Sequence, residues 1–164
     1  YDFDGYWKDV GTIDSLWEAN LDLINPNVNL DLSDTSWKIY SNSPIAPPHF
    51  IDKNAEVQNS IVTEGAYIGG EVESSVIFSN VEIDDGALIV DSVIMPGAVI
   101  KKGAKVLYSI VAQDAVIEED AQVGECPENL KPGEWGVSVV GPKTVIKKGQ
   151  KVPSGETIGI KEGK

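Results

Sequence analysis

At 164 residues the chain is long enough for one ordinary domain, or for a short lead-in followed by one elongated domain. Its 26 acidic residues against 13 basic ones leave a net charge of −13, which argues against a nucleic-acid or anionic-membrane surface, because a basic patch supplies most of the affinity there. A lone cysteine excludes an internal disulfide framework, no run approaches the ~18–20 apolar residues of a membrane span, and no basic-then-apolar opening marks secretion, so a cytoplasmic setting is expected.

In chain order, Ile13, Leu16, Trp17, Leu21 and Ile24 recur at three- and four-residue spacing and predict one amphipathic helix over 13–24. Thr12 or Asp14 is available to cap it, and Asn25-Pro26 should end it. "SWKIYS" (36–41) reads as a short strand, and "SPIAPPHF" (43–50) is too proline-rich for either regular element and reads as an extended linker. The chain thus divides into 1–42, a lead-in; 43–50, a linker; and 51–164, a repeat region.

The repeat is explicit. "IDKNAEV" (51–57), "VTEGAYI" (62–68), "IDDGALI" (83–89), "IMPGAVI" (94–100), "IKKGAKV" (100–106), "VAQDAVI" (111–117), "IEEDAQV" (117–123), "IKKGQKV" (146–152) and "VPSGETI" (152–158) each place an aliphatic residue six positions before another. Just before the usual Ala stand Asn54, Gly65, Gly86, Gly97, Gly103, Asp114, Asp120, Gly149 and Gly155, residue types that tolerate a left-handed backbone or a tight polar turn. From Gly86 the corners are spaced 11, 6, 11 and 6, so two recur every 17 residues, as do Ser75, Ser92 and Ser109 on what becomes a third side. Three short strands per turn, aliphatic inward, make a triangular parallel β-helix, all-β beyond its helical lead-in. Four to six coils stacked ~4.8 Å apart give a prism roughly 20–29 Å tall. The interval 65–86 departs from the period, and 124–139 reads as a loop leaving the prism.

These hexads resemble the hexapeptide-repeat superfamily, whose members form a left-handed parallel β-helix, an exception to the right-handed crossover rule. Acyltransferases of that superfamily need a histidine in a coil, and its zinc carbonic anhydrases need three histidine ligands. The single histidine here, His49, lies in the proline linker, which excludes the zinc reading and argues against acyl transfer.

"GYWKDVGTIDSLWEANLDLI" (5–24) closely resembles the junction between the catalytic and β-helix domains of the bacterial glucose-1-phosphate adenylyltransferase family, and Trp37-x-Ile39 and Pro47-Pro48 agree with it. The resemblance implies that Asp9 is catalytic and helps hold a Mg²⁺ with a second aspartate from a nucleotide-binding domain, because two carboxylates can fix a hard cation bridging phosphates. It implies that Trp7 packs beside the substrate site and that Lys8 sits near phosphate. On the residues alone, Asp9 reads as a turn or cap residue feeding the helix. No Gly-rich phosphate-cradling loop and no βα alternation occurs in these residues, so the expectation is a C-terminal fragment whose nucleotide pocket, with its ATP and glucose 1-phosphate, belongs to an N-terminal catalytic domain.

The resemblance also implies a homo-oligomer, a tetramer, and regulation by phosphorylated effectors between the domains. All 13 basic residues are lysines, so an effector site lacks the planar fork of arginine; in "PENLKPGEWG" (127–136) it could use only Lys131, between Glu128 and Glu134. The corner lysines of "IKKGAKV" and "IKKGQKV" read as solvated, Cys126 as an incidental loop thiol, and Trp135 as either a loop anchor or a partner-facing residue. Two function classes stand: the regulatory and assembly domain of an adenylyltransferase, or a purely structural β-helix module, from a non-catalytic subunit or another sugar-phosphate nucleotidyltransferase.

Overall fold

The computed structural model describes residues 2–30, 36 and 45–160. Residues 1, 31–35, 37–44 and 161–164, and with them all but Ser36 of the strand expected over 36–41, therefore lie outside the described residues.

Three sheets of six parallel strands each close a triangular prism. Face A runs through Phe50–Ile51, Tyr67–Ile68, Glu82–Ile83, Val99–Ile100, Val116–Ile117 and Val145–Ile146. Face B runs from Glu56–Gln58 to Lys151–Val152, and face C from Ile61–Val62 to Thr157–Ile158. Five intervals of ~4.8 Å make the stack about 24 Å tall. Along face A the paired residues are 17, 15, 17, 17 and 29 positions apart.

Inward positions form aliphatic columns, such as Ile68, Ile83, Ile100, Ile117 and Ile146 under face A, all fully buried. Each such side chain contributes about 1.5–3 kcal/mol by leaving water. The vertices admit only small residues beneath them: Ala66, Ala87, Ala98, Ala104, Ala115 and Ala121 are at most 2% exposed.

Eight of the nine expected corners, all but Asn54, have positive φ. Asn54 instead turns through a side chain, its N–H donating to Asp52 Oδ1 at 3.0 Å. Where a glycine corner and an Asx corner meet in neighbouring coils, the reason is steric. A Cβ on Gly97 would lie 2.4 Å from Asp114 Oδ1, and one on Gly103 would lie 2.5 Å from Asp120 Oδ1, so the carboxylate of one coil occupies space that the glycine of its neighbour leaves empty.

The interval 65–86 does carry a coil. Its corner is Asn80, with φ +58, which the hexad pattern missed because Val81 replaces the usual alanine; Lys143, with φ +56, was missed similarly before Thr144. The coil is two residues short because Gly69-Gly70 turns the vertex alone, and a Cβ at Gly70 would lie 2.4 Å from the Ala87 carbonyl oxygen.

Buried serines line the third vertex. Ser92 N–H donates to Ser75 Oγ at 3.0 Å and Ser109 N–H to Ser92 Oγ at 3.1 Å, while the three hydroxyls donate to Glu73, Val90 and Leu107 carbonyls at 2.6–2.7 Å. Ser75 and Ser92 thereby satisfy the backbone N–H groups of Ser92 and Ser109, which follow the left-handed corners Asp91 and Tyr108. Three of the corner lysines, Lys101, Lys102 and Lys147, form ion pairs while Lys102 and Lys147 stay largely exposed. The vertex between faces A and B reads Asp84-Asp85, Lys101-Lys102, Glu118-Glu119, Lys147-Lys148 in successive coils, with Lys101–Asp84 at 3.5 Å, Lys102–Asp85 at 3.1 Å and Lys147–Glu118 at 3.3 Å.

Face C is covered from outside. Its outward Val93, Ile110 and Val139, with Val137, pack against Leu16, Trp17 and Leu21 of the lead-in helix, and against Phe78, Met95 and Trp135. The 29-residue coil supplies Trp135: its extra twelve residues leave the prism after Val123, turn through the short helix Pro127–Asn129, and return at Ser138.

Candidate functional site

The lead-in helix, α1, spans Ile13–Leu21 and continues as a 3₁₀ turn over Asp22–Ile24. Thr12 caps it by a box in which Thr12 Oγ1 accepts from Ser15 N–H at 3.1 Å and Ser15 Oγ from Thr12 N–H at 3.0 Å. The preceding residues are extended, so alternate side chains face opposite ways. Tyr6 and Lys8 turn onto α1: the Tyr6 hydroxyl donates to Asp22 Oδ2 at 2.9 Å, and Lys8 Nζ meets Asp22 at 2.9 Å and Glu18 at 3.1 Å. Burial works to lower the Lys8 pKa, but the bonds and charges of Asp22 and Glu18 outweigh it and hold the ammonium above its usual range. Burial, then Asp22, likewise raises the Tyr6 phenol.

Trp7 and Asp9 turn away into solvent. The Trp7 side chain is 76% exposed, and Asp9 is exposed with Oδ1 accepting Gly11 N–H at 3.1 Å, the local turn expected of a turn residue, while Oδ2 is unused by that bond. A magnesium-type cation takes about six oxygens in a near-octahedral shell. Among the described residues no group of three or more His, Cys, Asp or Glu side chains gathers to supply one. The chain fits such an ion as the donor of a single carboxylate ligand, with the remainder to come from elsewhere.

A second cluster joins α1 to the departing loop. Trp17 donates Nε1–H to the Asp91 carbonyl at 2.8 Å and packs against Tyr108 and Trp135 at ring distances of 6.4 and 5.8 Å; Trp135 meets Tyr108 edge-on at 6.1 Å. Trp135 therefore anchors the loop on α1. Burial raises the Asp91 carboxyl, against a bond from Tyr108 that lowers it, with Glu73 adding to the rise; burial, then Asp91 and Cys126, raises the Tyr108 phenol. Cys126 Sγ lies 4.0 Å from that phenol oxygen. Lys131 stands at the loop's outer end, its side chain 85% exposed and 4.0 Å from Glu134. The structure thus brings Lys8, Tyr6, Glu18 and Asp22 together, leaves Trp7 and Asp9 in the open beside them, and places Lys131 on the loop that Trp135 ties to the same helix. The sequence patterns did not show Tyr6, Asp22 or Glu18 as holders of the motif, since helix spacing ranks only apolar positions.

Residues 46–141 match the GlmU-like, C-terminal hexapeptide family. The chain belongs to that family. Curated relatives are the glucose-1-phosphate adenylyltransferases of Clostridium beijerinckii, 55% identical over 91 residues that make up 56% of this chain and 24% of the relative, and of Geobacillus stearothermophilus, 55% over 89 residues, 54% and 23%. That of Bacillus mycoides is 47% identical over 91 residues, 56% of this chain and 24% of the relative. The matched part of this hexapeptide-family chain spans about a quarter of the length of these relatives. Among solved structures, a perosamine N-acetyltransferase variant from Caulobacter crescentus in complex with CoA and GDP-perosamine superposes with a TM-score of 0.57 over 68% of this chain and 50% of that one, at 13% identity, a likeness of fold alone. No helix among the described residues is long and apolar enough to cross a membrane.

Proposed function

We propose that this chain is the C-terminal regulatory and assembly part of a cytoplasmic, homotetrameric glucose-1-phosphate adenylyltransferase, which forms ADP-glucose and pyrophosphate from ATP and glucose 1-phosphate. The observation that carries the reading is the 55% identity to enzymes of that name over 91 residues. The exposed Trp7 and Asp9 beside a firmly held Lys8 support it, because they are the side chains a preceding domain could reach.

In the intact enzyme a Mg²⁺ held in part by Asp9 would supply charge neutralisation to the phosphates. Asp9 contributes one carboxylate oxygen to that ion, in a turn kept rigid by Gly11 N–H. Trp7 lays its indole along the substrate pocket, and burying it there removes apolar surface from water. Lys8 holds the segment before α1 against that helix, and it reaches a phosphate only by exchanging Asp22 or Glu18 for it. Effector binding at Lys131 is weak, since a single hydrated ammonium beside Glu134 cannot grip a phosphate in two-point fashion.

The test is to assay the protein expressed from the full-length reading frame that contains these residues. ADP-glucose formation is expected there and not from residues 1–164 alone. Asp9→Asn in the full protein should cut turnover by orders of magnitude and leave its sedimentation unchanged. A full-length protein that makes no ADP-glucose would return the chain to the structural-module reading. Titrating sugar bisphosphate against wild type and Lys131→Ala tests the effector assignment: a strong activation lost in the variant would show that one lysine suffices.

A further inference from the structure

The three faces of the prism are treated differently. Face C is covered by α1 and Trp135, and face B carries Glu56, Glu71, Glu73, Lys105 and Lys151 on or beside its outward positions. Among the described residues, none covers face A, and it carries little charge. Its outward positions, one per coil from first to sixth, are Phe50, Tyr67, Glu82, Val99, Val116 and Val145, which lie in register down the sheet. Phe50 is 57% exposed and stacks on Tyr67 at 5.8 Å, and Val145 is 42% exposed. Apolar side chains at five of these six positions, interrupted by Glu82 in the third coil, mark an interaction surface.

We propose that face A pairs with face A of a second copy of this chain, with the two prisms antiparallel. The alternating charges select that partner and that direction. Two residues beyond each outward position the vertex carries Asp52, Gly69, Asp84, Lys101, Glu118 and Lys147, in coils one to six. A two-fold axis along the strand direction sets coil one against coil six, two against five and three against four. Asp52 then faces the partner's Lys147 and Asp84 faces the partner's Lys101, each twice by symmetry. Bulk is complementary as well, since Phe50 meets the partner's Val145 and Tyr67 meets the partner's Val116.

The parallel alternative sets each coil against its own number and brings the two flanks of the face together. It would place Glu118 opposite the partner's Asp114 and Lys147 opposite the partner's Lys143, both like-charged. Like charges across a contact suppress a wrong arrangement. A face ~24 Å tall and roughly 15–20 Å wide buries on the order of 400–500 Å² per copy, which places the pairing in the weak, reversible class. The inference is independent of the activity proposed above.

The test uses the 164-residue chain with Cys126→Ser. Tyr67→Cys and Val116→Cys are prepared as two separate proteins and treated with a short bismaleimide, singly and mixed. The antiparallel pairing predicts a cross-linked dimer from the mixture and little from either alone, because two copies of position 67 would lie three coils, ~14 Å, apart along the prism. Ready cross-linking of Tyr67→Cys by itself would overturn the antiparallel arrangement, and none in the mixture would overturn the face. In sedimentation at hundreds of micromolar the parent chain should populate a dimer that the doubly substituted Tyr67→Lys, Val116→Lys chain loses, with an unchanged circular dichroism spectrum. A parent that is monomeric, or a dimer indifferent to those lysines, would also refute the proposal.

Discussion

Replacing Ser92 by alanine should cost much more stability than replacing Ser109, although both are fully buried and both sit at the same place in successive coils. Ser92 Oγ donates to the Val90 carbonyl at 2.7 Å and accepts Ser109 N–H at 3.1 Å. Its removal loses one hydrogen bond, about 1 kcal/mol net, and strands a buried N–H, which costs a further ~1–3 kcal/mol. Ser109 Oγ donates to the Leu107 carbonyl at 2.6 Å, but no backbone N–H among the described residues donates to it, because the next coil presents Ser138, whose N–H goes to the Tyr108 carbonyl at 3.4 Å. Ser109→Ala should therefore cost only ~1 kcal/mol. With a urea dependence on the order of 2 kcal/mol per molar, Ser92→Ala lowers the unfolding midpoint by roughly 1–2 M and Ser109→Ala by about 0.5 M. The assay is urea unfolding followed by far-ultraviolet circular dichroism. Equal midpoints for the two variants would show that the ladder does not depend on inter-coil acceptance and would refute the reasoning.

Gly70→Ala should destabilise by about 1–3 kcal/mol in thermal unfolding, because its Cβ meets the rigid Ala87 and Asp84 carbonyl oxygens at 2.4 and 3.0 Å. Gly149→Ala, at φ +67 in open space, should cost only the ~1–2 kcal/mol of a left-handed alanine, and the reverse order would count against the short-corner argument. Trp17→Ala should free α1 from face C and leave the prism folded, since a nine-residue helix is not stable by itself; limited proteolysis should then cut within residues 1–30, and unchanged resistance would contradict this. Asp91 has its pKa raised by burial, so its contribution to stability is fully present below the unfolded carboxyl pKa and is lost as pH rises through the folded value. Asp91→Asn should accordingly gain stability relative to wild type as pH increases from about 4 to 7, a trend that thermal unfolding at several pH values would reveal or exclude.

The coil could be read from residues because its determinants are local. An aliphatic position, a corner residue and a small residue within seven positions specify one inward strand and the turn that ends it, so Ile100, Gly103 and Ala104 announce themselves without knowledge of the rest. Asn80 and Lys143 escaped because their corners precede Val81 and Thr144 rather than alanine. The 5–12 motif was equally legible as a motif, but its geometry was not: helix periodicity says nothing of Asp22 and Glu18 gripping Lys8, or of Trp7 and Asp9 pointing the other way. What only the tertiary structure decided involves residues far apart in the chain. Trp17 and Trp135 meet at 5.8 Å, Asp84 and Lys101 pair across a coil, and Ser92 completes the hydrogen bonding of Ser109. Neither the ion pair nor the serine bond exists until stacking brings successive coils within ~4.8 Å, and the folded chain also lays Leu16, Trp17, Leu21 and Trp135 on face C.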